Sequence, residues 1–285
     1  MKTILLAPNA IKDKNLEFTS LVARLSAGRA RLLLDESFAD FNVPFAEHCT
    51  KAEALAACDA VFALGGDGTL LGVAHDVLLT GQPILGFNLG RLGFLAEVEQ
   101  KEVENNLNKF FDGDYVVENR MMLRAKLEDS RGKERIFDSL NDIVVSRGAT
   151  SRLLDVNLYV DSEFVDDYKA DGMIVSTPTG STAYSMSAGG PIVDPSMDLM
   201  LITPVCPHKL YSRTVLVPAD KTVMATMNES GINGAIVSAD GREETPFTAD
   251  SKLTITRSPH VTGLIRVNGS RFYSVLRKKL AGKDN

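Results

Sequence analysis

The hydrophobic pattern changes character once along the chain. In the first part, short apolar runs alternate with longer segments in which apolar residues recur at helical spacing. We predict strands at residues 3–7, 60–64 and 83–87, and helices at 16–25, 51–57, 69 to about 81 and 99–111. Strands that alternate with helices form a parallel sheet with right-handed crossovers. Residues 1–112 are therefore expected to fold as an N-terminal, Rossmann-like parallel α/β domain.

From residue 115 onward the pattern consists of short runs typical of β-strands, separated by turn residues. The predicted strands are 121–127, 143–146, 155–160, 172–176, 214–217, 222–227, 235–238, 252–256 and 263–267. They indicate a second, β-rich and sandwich-like domain over residues 113–268. Residues 269–285 form a tail in which 272–280 reads as a short helix with a basic end. We expect this tail to pack back on the N-terminal domain.

Composition narrows the class of partner. Hydrophobic residues make up 44% of the 285 residues and charged residues 24%, which is typical of a soluble globular protein. The formal net charge of -6 argues against a general binder of nucleic acid or of anionic membranes. No apolar run approaches the roughly 20 residues that span a bilayer. We therefore expect neither a nucleic-acid nor a membrane partner.

The cysteines and histidines indicate neither disulfides nor a metal centre. Cys49, Cys58 and Cys206 are odd in number and far apart, which makes a disulfide framework or a thiolate zinc site improbable. The four histidines are isolated and show no zinc-binding spacing. We infer a reducing compartment, and hence a cytoplasmic location.

A glycine-rich turn follows the predicted strand at 60–64. Residues 65–69 read Gly-Gly-Asp-Gly-Thr, directly before a helical pattern. Backbone N–H groups at the start of such a helix favour an anion such as a phosphate, and ligands gather at this end of parallel strands. An acidic residue beside a phosphate is repelled unless it holds a cation or accepts a proton. Asp67 is therefore a candidate for chemistry, although it could also act only as a helix cap.

The longer motifs carry a specific resemblance. The glycine turn by itself is similar to that of a superfamily containing NAD kinases, diacylglycerol and sphingosine kinases, and 6-phosphofructokinases. Residues 171–191, Asp-Gly-Met-Ile-Val-Ser-Thr-Pro-Thr-Gly-Ser-Thr-Ala-Tyr-Ser-Met-Ser-Ala-Gly-Gly-Pro, resemble the signature of NAD kinases. Residues 88–95, the pair Asn141-Asp142 and residues 204–208 match in the same order. The resemblance runs from residue 4 to about residue 242.

The resemblance implies roles for individual residues. Asp67 matches the family residue that accepts the proton of the adenosine 2′-hydroxyl. Gly68 matches a residue that lies against the bound nucleotide. The implied contacts of NAD are Asp67, Gly68, Asn141, Asp142, Arg152, Lys169, Asp171, Thr182, Ala183, Tyr184, Ser185, Met186, Ser187, Cys206 and Arg242. Some of residues 152, 169 and 171 reach the dinucleotide from a neighbouring subunit in family oligomers. Asp142 stands where the family has Glu, which keeps the charge but shortens the side chain by one methylene.

The loop at 182–187 also suits a dinucleotide on its chemistry. Thr182, Ser185 and Ser187 offer hydroxyls, and Ala183 is small enough to admit a flat base. Tyr184 offers both an aromatic face and a hydroxyl. An ordinary Gly/Ser-rich loop is the structural alternative.

The function that the resemblance implies is transfer of the γ-phosphoryl group of ATP to the 2′-hydroxyl of NAD, by a homo-oligomer that is a dimer or a tetramer. Mg²⁺ or another divalent ion would accompany ATP, and Asp67 could take the proton, hold the metal ion, or do both. The alternatives are a lipid kinase with the same glycine turn, a non-catalytic NAD-sensing module and a soluble sugar kinase. The sequence does not decide whether the phosphoryl acceptor is NAD or NADH. It also does not decide whether the donor is ATP, polyphosphate or another compound.

Overall fold

The computed structural model describes residues 1–148, 152–228, 234–269 and 272–281. The chain divides into two compact units. The first unit contains Met1–Asn119 and the chain from Thr262 onward, and the second contains Arg120–Val261. Residues 113–119 and 262–268, which the sequence pattern assigned to the β-rich domain, thus belong to the first unit. The last residues of the predicted tail, 282–285, lie outside the described residues.

The first unit is an α/β fold built on a parallel sheet. Its elements are β1 Lys2–Pro8, α1 Glu17–Ser26, β2 Ala30–Asp35, β3 Ala46–Cys49, α2 Lys51–Ala57, β4 Ala60–Gly65, α3 Asp67–Asp76, β5 Ile84–Asn88, β6 Val98–Glu99 and α4 Val103–Asp112. The parallel strands lie in the order β3-β2-β1-β4-β5, and β6 pairs with β5. This confirms the predicted Rossmann-like fold class.

Each face of this sheet is covered by helices. The apolar sides of α1 and α4 pack on one face, where Phe62, Phe87 and Phe110 form an aromatic group at the centre of the core. The helices α2 and α3 contact the strands on the opposite face of the sheet. On α3, Leu70 and Val73 are buried. Both helices begin near the carboxyl ends of strands, so their N-termini lie at one edge of the sheet.

The order of the strands reverses between β1 and β4. From β1 the chain proceeds outward to β2 and β3, and from β4 it proceeds outward the other way to β5. Open parallel sheets bind ligands outside the carboxyl ends of their strands at such a switch point. The segment after β1 and the glycine turn after β4 both lie there.

The second unit is built from antiparallel strands. Its elements, some of which extend into the first unit, are β7 Val116–Glu128, β8 Glu134–Ser139, β9 Asp142–Ser146, β10 Leu154–Val160, β11 Glu163–Ala170, β12 Gly172–Ser176, α5 Tyr184–Ser187, β13 Leu199–Val205, β14 Val215–Pro218, β15 Val223–Met227, β16 Ala235–Ala239, β17 Arg242–Phe247 and β18 Lys252–Arg266. One sheet has the order β14-β13-β12-β9-β16-β17, and the other contains β11-β10-β15-β18, with β7 pairing β18 and β8. A single apolar core lies between them, which confirms the sandwich-like character.

Several elements differ from the sequence pattern. The strands β2, β3, β6, β8, β11, β13 and β17 were not predicted. For β3 the reason is that it is a short edge strand whose Glu47 and His48 are exposed, so it contains no apolar run. The predicted strands 252–256 and 263–267 are one continuous strand, β18. Helix α3 ends at Asp76 and continues as hydrogen-bonded turns over residues 77–81, short of the predicted end near residue 81.

The final helix, α6 Phe272–Leu280, belongs to the first unit. The ring of Phe272 lies 5.8 Å from the ring of Phe94, and the ammonium group of Lys279 lies over the same ring. Among the helices of the described residues, none has the length and apolar character needed to cross a membrane.

Candidate active site

Asp67 is fixed at the start of α3 by the loop that follows β5. Its Oδ2 accepts a hydrogen bond from the backbone N–H of Phe94 at 2.8 Å. Its Oδ1 accepts from the N–H groups of Leu95 and Ala96, both at 3.0 Å. A carboxylate offers about four lone pairs, so these three bonds leave one, and it belongs to Oδ2. The structure thus names the oxygen of Asp67 that can act on a ligand.

Gly93 allows this close approach of loop and carboxylate. A Cβ atom at this position would collide with Oδ1, Cγ and Oδ2 of Asp67. The backbone there must carry no side chain if the three following N–H groups are to reach the carboxylate. The match of residues 88–95 to the family motif therefore has a physical basis in the anchoring of Asp67.

A buried ionic network supports the same loop from behind. The Arg266 guanidinium is only 7% exposed and donates to the Leu95 carbonyl at 2.9 Å. It also bonds Glu118 at 2.9 Å and lies 3.5 Å from Glu97, whose side chain is 3% exposed. Glu97 in turn accepts the N–H of Asn268 at 2.8 Å. Sequence reasoning missed this network, because Arg266 lies far along the chain from the loop that it holds.

Lys12 is a second group that the sequence reasoning missed. The Asn9 side chain, directly after β1, donates to the Thr69 hydroxyl at 3.0 Å and accepts the N–H of Lys12 at 3.2 Å. This places the Lys12 ammonium group 2.8 Å from where a Cβ of Gly66 would lie. Within the described residues, no carboxylate lies within ion-pairing distance of it. The available signal was a lysine three residues after the asparagine that follows β1.

In the second unit, Asn141 and Asp142 are held by a carboxylate. Asp240 accepts the N–H groups of Leu140 and Asn141 at 2.8 Å and of Asp142 at 3.0 Å. The carbonyl of Asn141 accepts the N–H of Thr177, so this corner joins the start of β9 to the end of β12. The sequence analysis did not assign Asp240 to the site, because the three consecutive amides bound to it are visible only in the structure.

The predicted loop 182–187 follows from the same end of β12. Tyr184 and Met186 are 46% and 39% exposed, and Ser187 is also exposed, so these side chains can meet a ligand. Thr182 and Ala183 are half-buried. Ser185 is buried, and its hydroxyl shares a hydrogen bond with that of Thr203 at 3.1 Å. The Thr182 hydroxyl donates to the Thr179 carbonyl at 3.2 Å. Of the predicted hydroxyl groups, those of Ser185 and Thr182 are therefore already engaged within the protein.

Other predicted site residues lie at the opposite end of β12. Asp171 precedes the strand and forms an ion pair with Arg147 at 2.9 Å. Lys169 is exposed, with its ammonium 3.9 Å from Asp155, and Cys206 is exposed at the end of β13. Arg152 is exposed and lies two residues before β10, whose first residue, Leu154, pairs with Ala170 next to Asp171.

The strand register therefore sorts the predicted NAD contacts of the second unit into two groups. Asp142 pairs with Ser176 at one end of β12, whereas Gly172 pairs with Ser146 and Val205 at the other. Arg242 begins β17 opposite Ala239, which places it near the Asn141 end. The five residues of β12 separate the two ends by about 13 Å. The groups are called here the Asn141 end and the Asp171 end.

The charge of Asp142 depends on pH near neutrality. The residue is 5% exposed, and burial, with a smaller contribution from the negative charge of Asp240, raises its pKa from 3.8 to about 7. The sequence reading took Asp142 to keep the charge of the family's Glu. In this structure burial disfavours that charge, and Asp142 loses it as the pH falls through its raised pKa.

This shift predicts how stability depends on pH. Between about pH 4 and pH 7 native Asp142 retains a proton that the unfolded chain has lost, so the free energy of unfolding should fall as the pH rises, by up to about 1.4 kcal/mol per pH unit. Above about pH 7 this contribution becomes constant. Urea denaturation of the parent and of Asp142→Asn across this range measures it. Identical pH slopes for the two proteins would contradict the assignment.

Comparison with known proteins gives one consistent family. Residues 10–115 match the family model of the ATP-NAD kinase N-terminal domain, and residues 140–267 match that of the ATP-NAD kinase C-terminal domain. The NAD kinase of Thermoanaerobacter sp. (strain X514) is 42% identical over 282 residues, covering 98% of this chain and 99% of that protein.

Two solved structures resemble the fold. An NAD kinase from Archaeoglobus fulgidus in complex with ATP superposes with a TM-score of 0.72 at 27% identity, covering 97% of both chains. The yeast NADH kinase complexed with NADH superposes with a TM-score of 0.90, covering 100% of this chain and 89% of that one. Its sequence identity is 22%, so this second likeness concerns the fold.

Proposed function

This chain belongs to the NAD kinase family and is an enzyme that phosphorylates NAD, and we propose that Asp67 is the residue at which the phosphoryl group is transferred. The substrate pair is ATP as donor and the 2′-hydroxyl of the adenosine ribose of NAD as acceptor, which gives NADP and ADP. The observation that carries the proposal is the lone pair left on Oδ2 of Asp67, at the switch point of the parallel sheet.

The proposed step has a simple balance. The ribose oxygen forms a bond to the γ-phosphorus while the bond from that phosphorus to the β,γ-bridging oxygen breaks, and ADP leaves. The proton of the hydroxyl passes to Oδ2 of Asp67. A carboxylate is a weak base towards an alcohol, which suits a loose transition state in which the proton is lost late. The backbone bonds to Asp67 fix its position, which is the main requirement of this chemistry.

A divalent metal ion such as Mg²⁺ fits the same site. Among the described residues, no group of three or more His, Cys, Asp or Glu side chains could hold a metal ion by itself. Mg²⁺ characteristically binds one or two carboxylates together with substrate phosphates and water. The one lone pair left on Oδ2 of Asp67 could take either the ion or the proton, so where it takes the proton the triphosphate oxygens and water would hold the ion. When bound, the ion neutralises charge on the transferred group.

We propose that NAD contacts the Asn141 end of its own subunit and the Asp171 end of a neighbouring one. The separation of about 13 Å along β12 and the exposure of Lys169 and Cys206 support this arrangement. In such a homo-oligomer each site is completed by two chains. The proposed assembly is a dimer or a tetramer, and a cytoplasmic location stays a prediction from the cysteine pattern.

Mixing two variants tests this sharing of sites. We expect Asn141→Ala and Asp171→Ala each to be nearly inactive as pure proteins. Co-expressed as a twofold-symmetric dimer, they should regain about a quarter of parental activity, because mixed dimers carry one site without either substitution. NADP formation and analytical ultracentrifugation measure the two properties. Absence of any recovery in demonstrated mixed oligomers would contradict shared sites.

The function itself is tested by a coupled assay. The purified protein is incubated with ATP, Mg²⁺ and NAD, and NADP is detected with an NADP-specific dehydrogenase. We expect NADP to form in proportion to enzyme. Absence of NADP, together with phosphorylation of a lipid or a sugar, would overturn the proposal.

A further inference from the structure

We propose that a cavity beside the glycine turn binds the nucleoside part of the phosphoryl donor. The cavity has a volume of about 350 Å³ and lies within the first unit, at the carboxyl ends of β1 and β2. Its wall includes Gly68 and Thr69, the residues that directly follow Asp67. This inference rests on the proposed function, because it concerns the second substrate of the same reaction.

The lining suits a flat base and a ribose. Phe38, Leu55 and Val73 present apolar surface, while Lys51 and Asp76 form an ion pair at 2.6 Å on the rim. The volume falls within the range of small-molecule sites, which are mostly apolar with a few polar groups that set orientation.

Asp35 supplies such a polar group. It lies at the carboxyl end of β2 and lines the cavity, and its Oδ1 accepts the N–H of Ser37 at 2.9 Å. In parallel dinucleotide-binding sheets an acidic residue near this position bonds ribose hydroxyls. A carboxylate also disfavours a phosphate at the same point, so the sugar is expected here and the phosphates towards the glycine turn.

The glycines of α3 leave the space open. Gly68 and Gly72 are one helical turn apart and both line the cavity. A Cβ at either would meet no protein atom within 4 Å apart from its chain neighbours and the backbone of its own helix. Glycine inside a helix is ordinarily unfavourable, so its presence at Gly72 has no local structural reason. A ligand that occupies the cavity supplies one.

Lys12 lies beside the glycine turn that borders this cavity. Thr69 lines the cavity and accepts the hydrogen bond of Asn9, whose loop places the Lys12 ammonium beside Gly66. A donor with its nucleoside in the cavity would carry its phosphates past this cation to Oδ2 of Asp67. The order of groups along the site is therefore ribose at Asp35, phosphates at Lys12, and transfer at Asp67.

Filling the cavity tests the proposal. We measure the Kd of ADP by calorimetry with saturating NAD present, so that the acceptor site is occupied. Gly72→Leu should raise the Kd of ADP by at least about tenfold, because the added side chain overfills the site, and should leave the KM for NAD unchanged. Gly72→Ala should have a smaller effect in the same direction. Urea denaturation should show both variants at least as stable as the parent, because each replaces a helical glycine.

A second probe examines the ribose. The parent should bind ADP at least about tenfold more tightly than 2′,3′-dideoxy-ADP, through hydrogen bonds to a charged group, and Asp35→Ala should bind the two alike. An unchanged Kd for ADP in folded Gly72→Leu, or a raised KM for NAD alone, overturns the proposal. If the parent forms no NADP but Gly72→Leu still binds ADP at least about tenfold more weakly than the parent, the proposed function fails while the cavity assignment stands.

Discussion

Replacing Asp67 with asparagine should lower kcat by about 10²–10⁴-fold, the range that a positioned proton acceptor contributes. The substitution removes the basic oxygen and the negative charge that a metal ion would require. It also places an amide in a site where three backbone N–H groups donate, those of Phe94, Leu95 and Ala96. Single-turnover NADP formation and the Kd of NAD are the quantities to measure.

The geometry shows that this variant needs a control for movement of the loop. An asparagine has one acceptor oxygen and an NH₂ group, so one backbone donor at 94–96 faces another donor. Gly93→Ala is the matched control, since its Cβ displaces the loop or the carboxylate but keeps the charge. We expect Gly93→Ala to lose at least about tenfold less activity than Asp67→Asn, because only the latter removes the acceptor. Near-normal turnover in Asp67→Asn with normal NAD binding would show that Asp67 neither takes the proton nor holds the metal ion.

The sequence predicted Asp67 but could not predict what holds it. Local pattern was sufficient for β4, the glycine turn and α3, because their signals are contiguous and the motif is dense in glycine. The restraint on Asp67 comes from N–H groups of the backbone, which every residue except proline carries. Residue types therefore contain no trace of it, apart from the absence of a side chain at Gly93.

The same limit applies in the second unit. The pair Asn141-Asp142 was recognised from its motif, whereas Asp240, about a hundred residues later, organises it through backbone amides. The division of the predicted NAD contacts between two ends of β12 depends on strand register, which the sequence pattern did not define. Register is set by the packing of both faces and by turn geometry together. Long-range pairing thus determines which predicted residues can share a site.

Arg266 provides the strongest test of how the first unit supports its catalytic loop. We expect Arg266→Met to lower the free energy of unfolding by about 3–5 kcal/mol, since it leaves the buried carboxylate of Glu97 without its cation. Arg31→Met, which breaks the exposed ion pair with Glu47 at 2.7 Å, is the matched control and should have a much smaller effect. Urea denaturation of both variants at the same pH measures the difference.

The activity of Arg266→Met separates stability from positioning. The Leu95 carbonyl loses its donor in this variant, and the N–H groups of Leu95 and of the next residue are those that hold Oδ1 of Asp67. At a temperature where the variant is fully folded, kcat should fall by about tenfold while the KM for NAD changes little, because a small displacement of a reacting group is costly. The double variant Arg266→Met with Glu97→Leu should regain much of the stability, since an apolar pair can replace a buried ion pair. If the double variant recovers stability but not kcat, the role of Arg266 is to hold Asp67 in place. If the folded single variant Arg266→Met shows full turnover, the role of Arg266 is limited to stability.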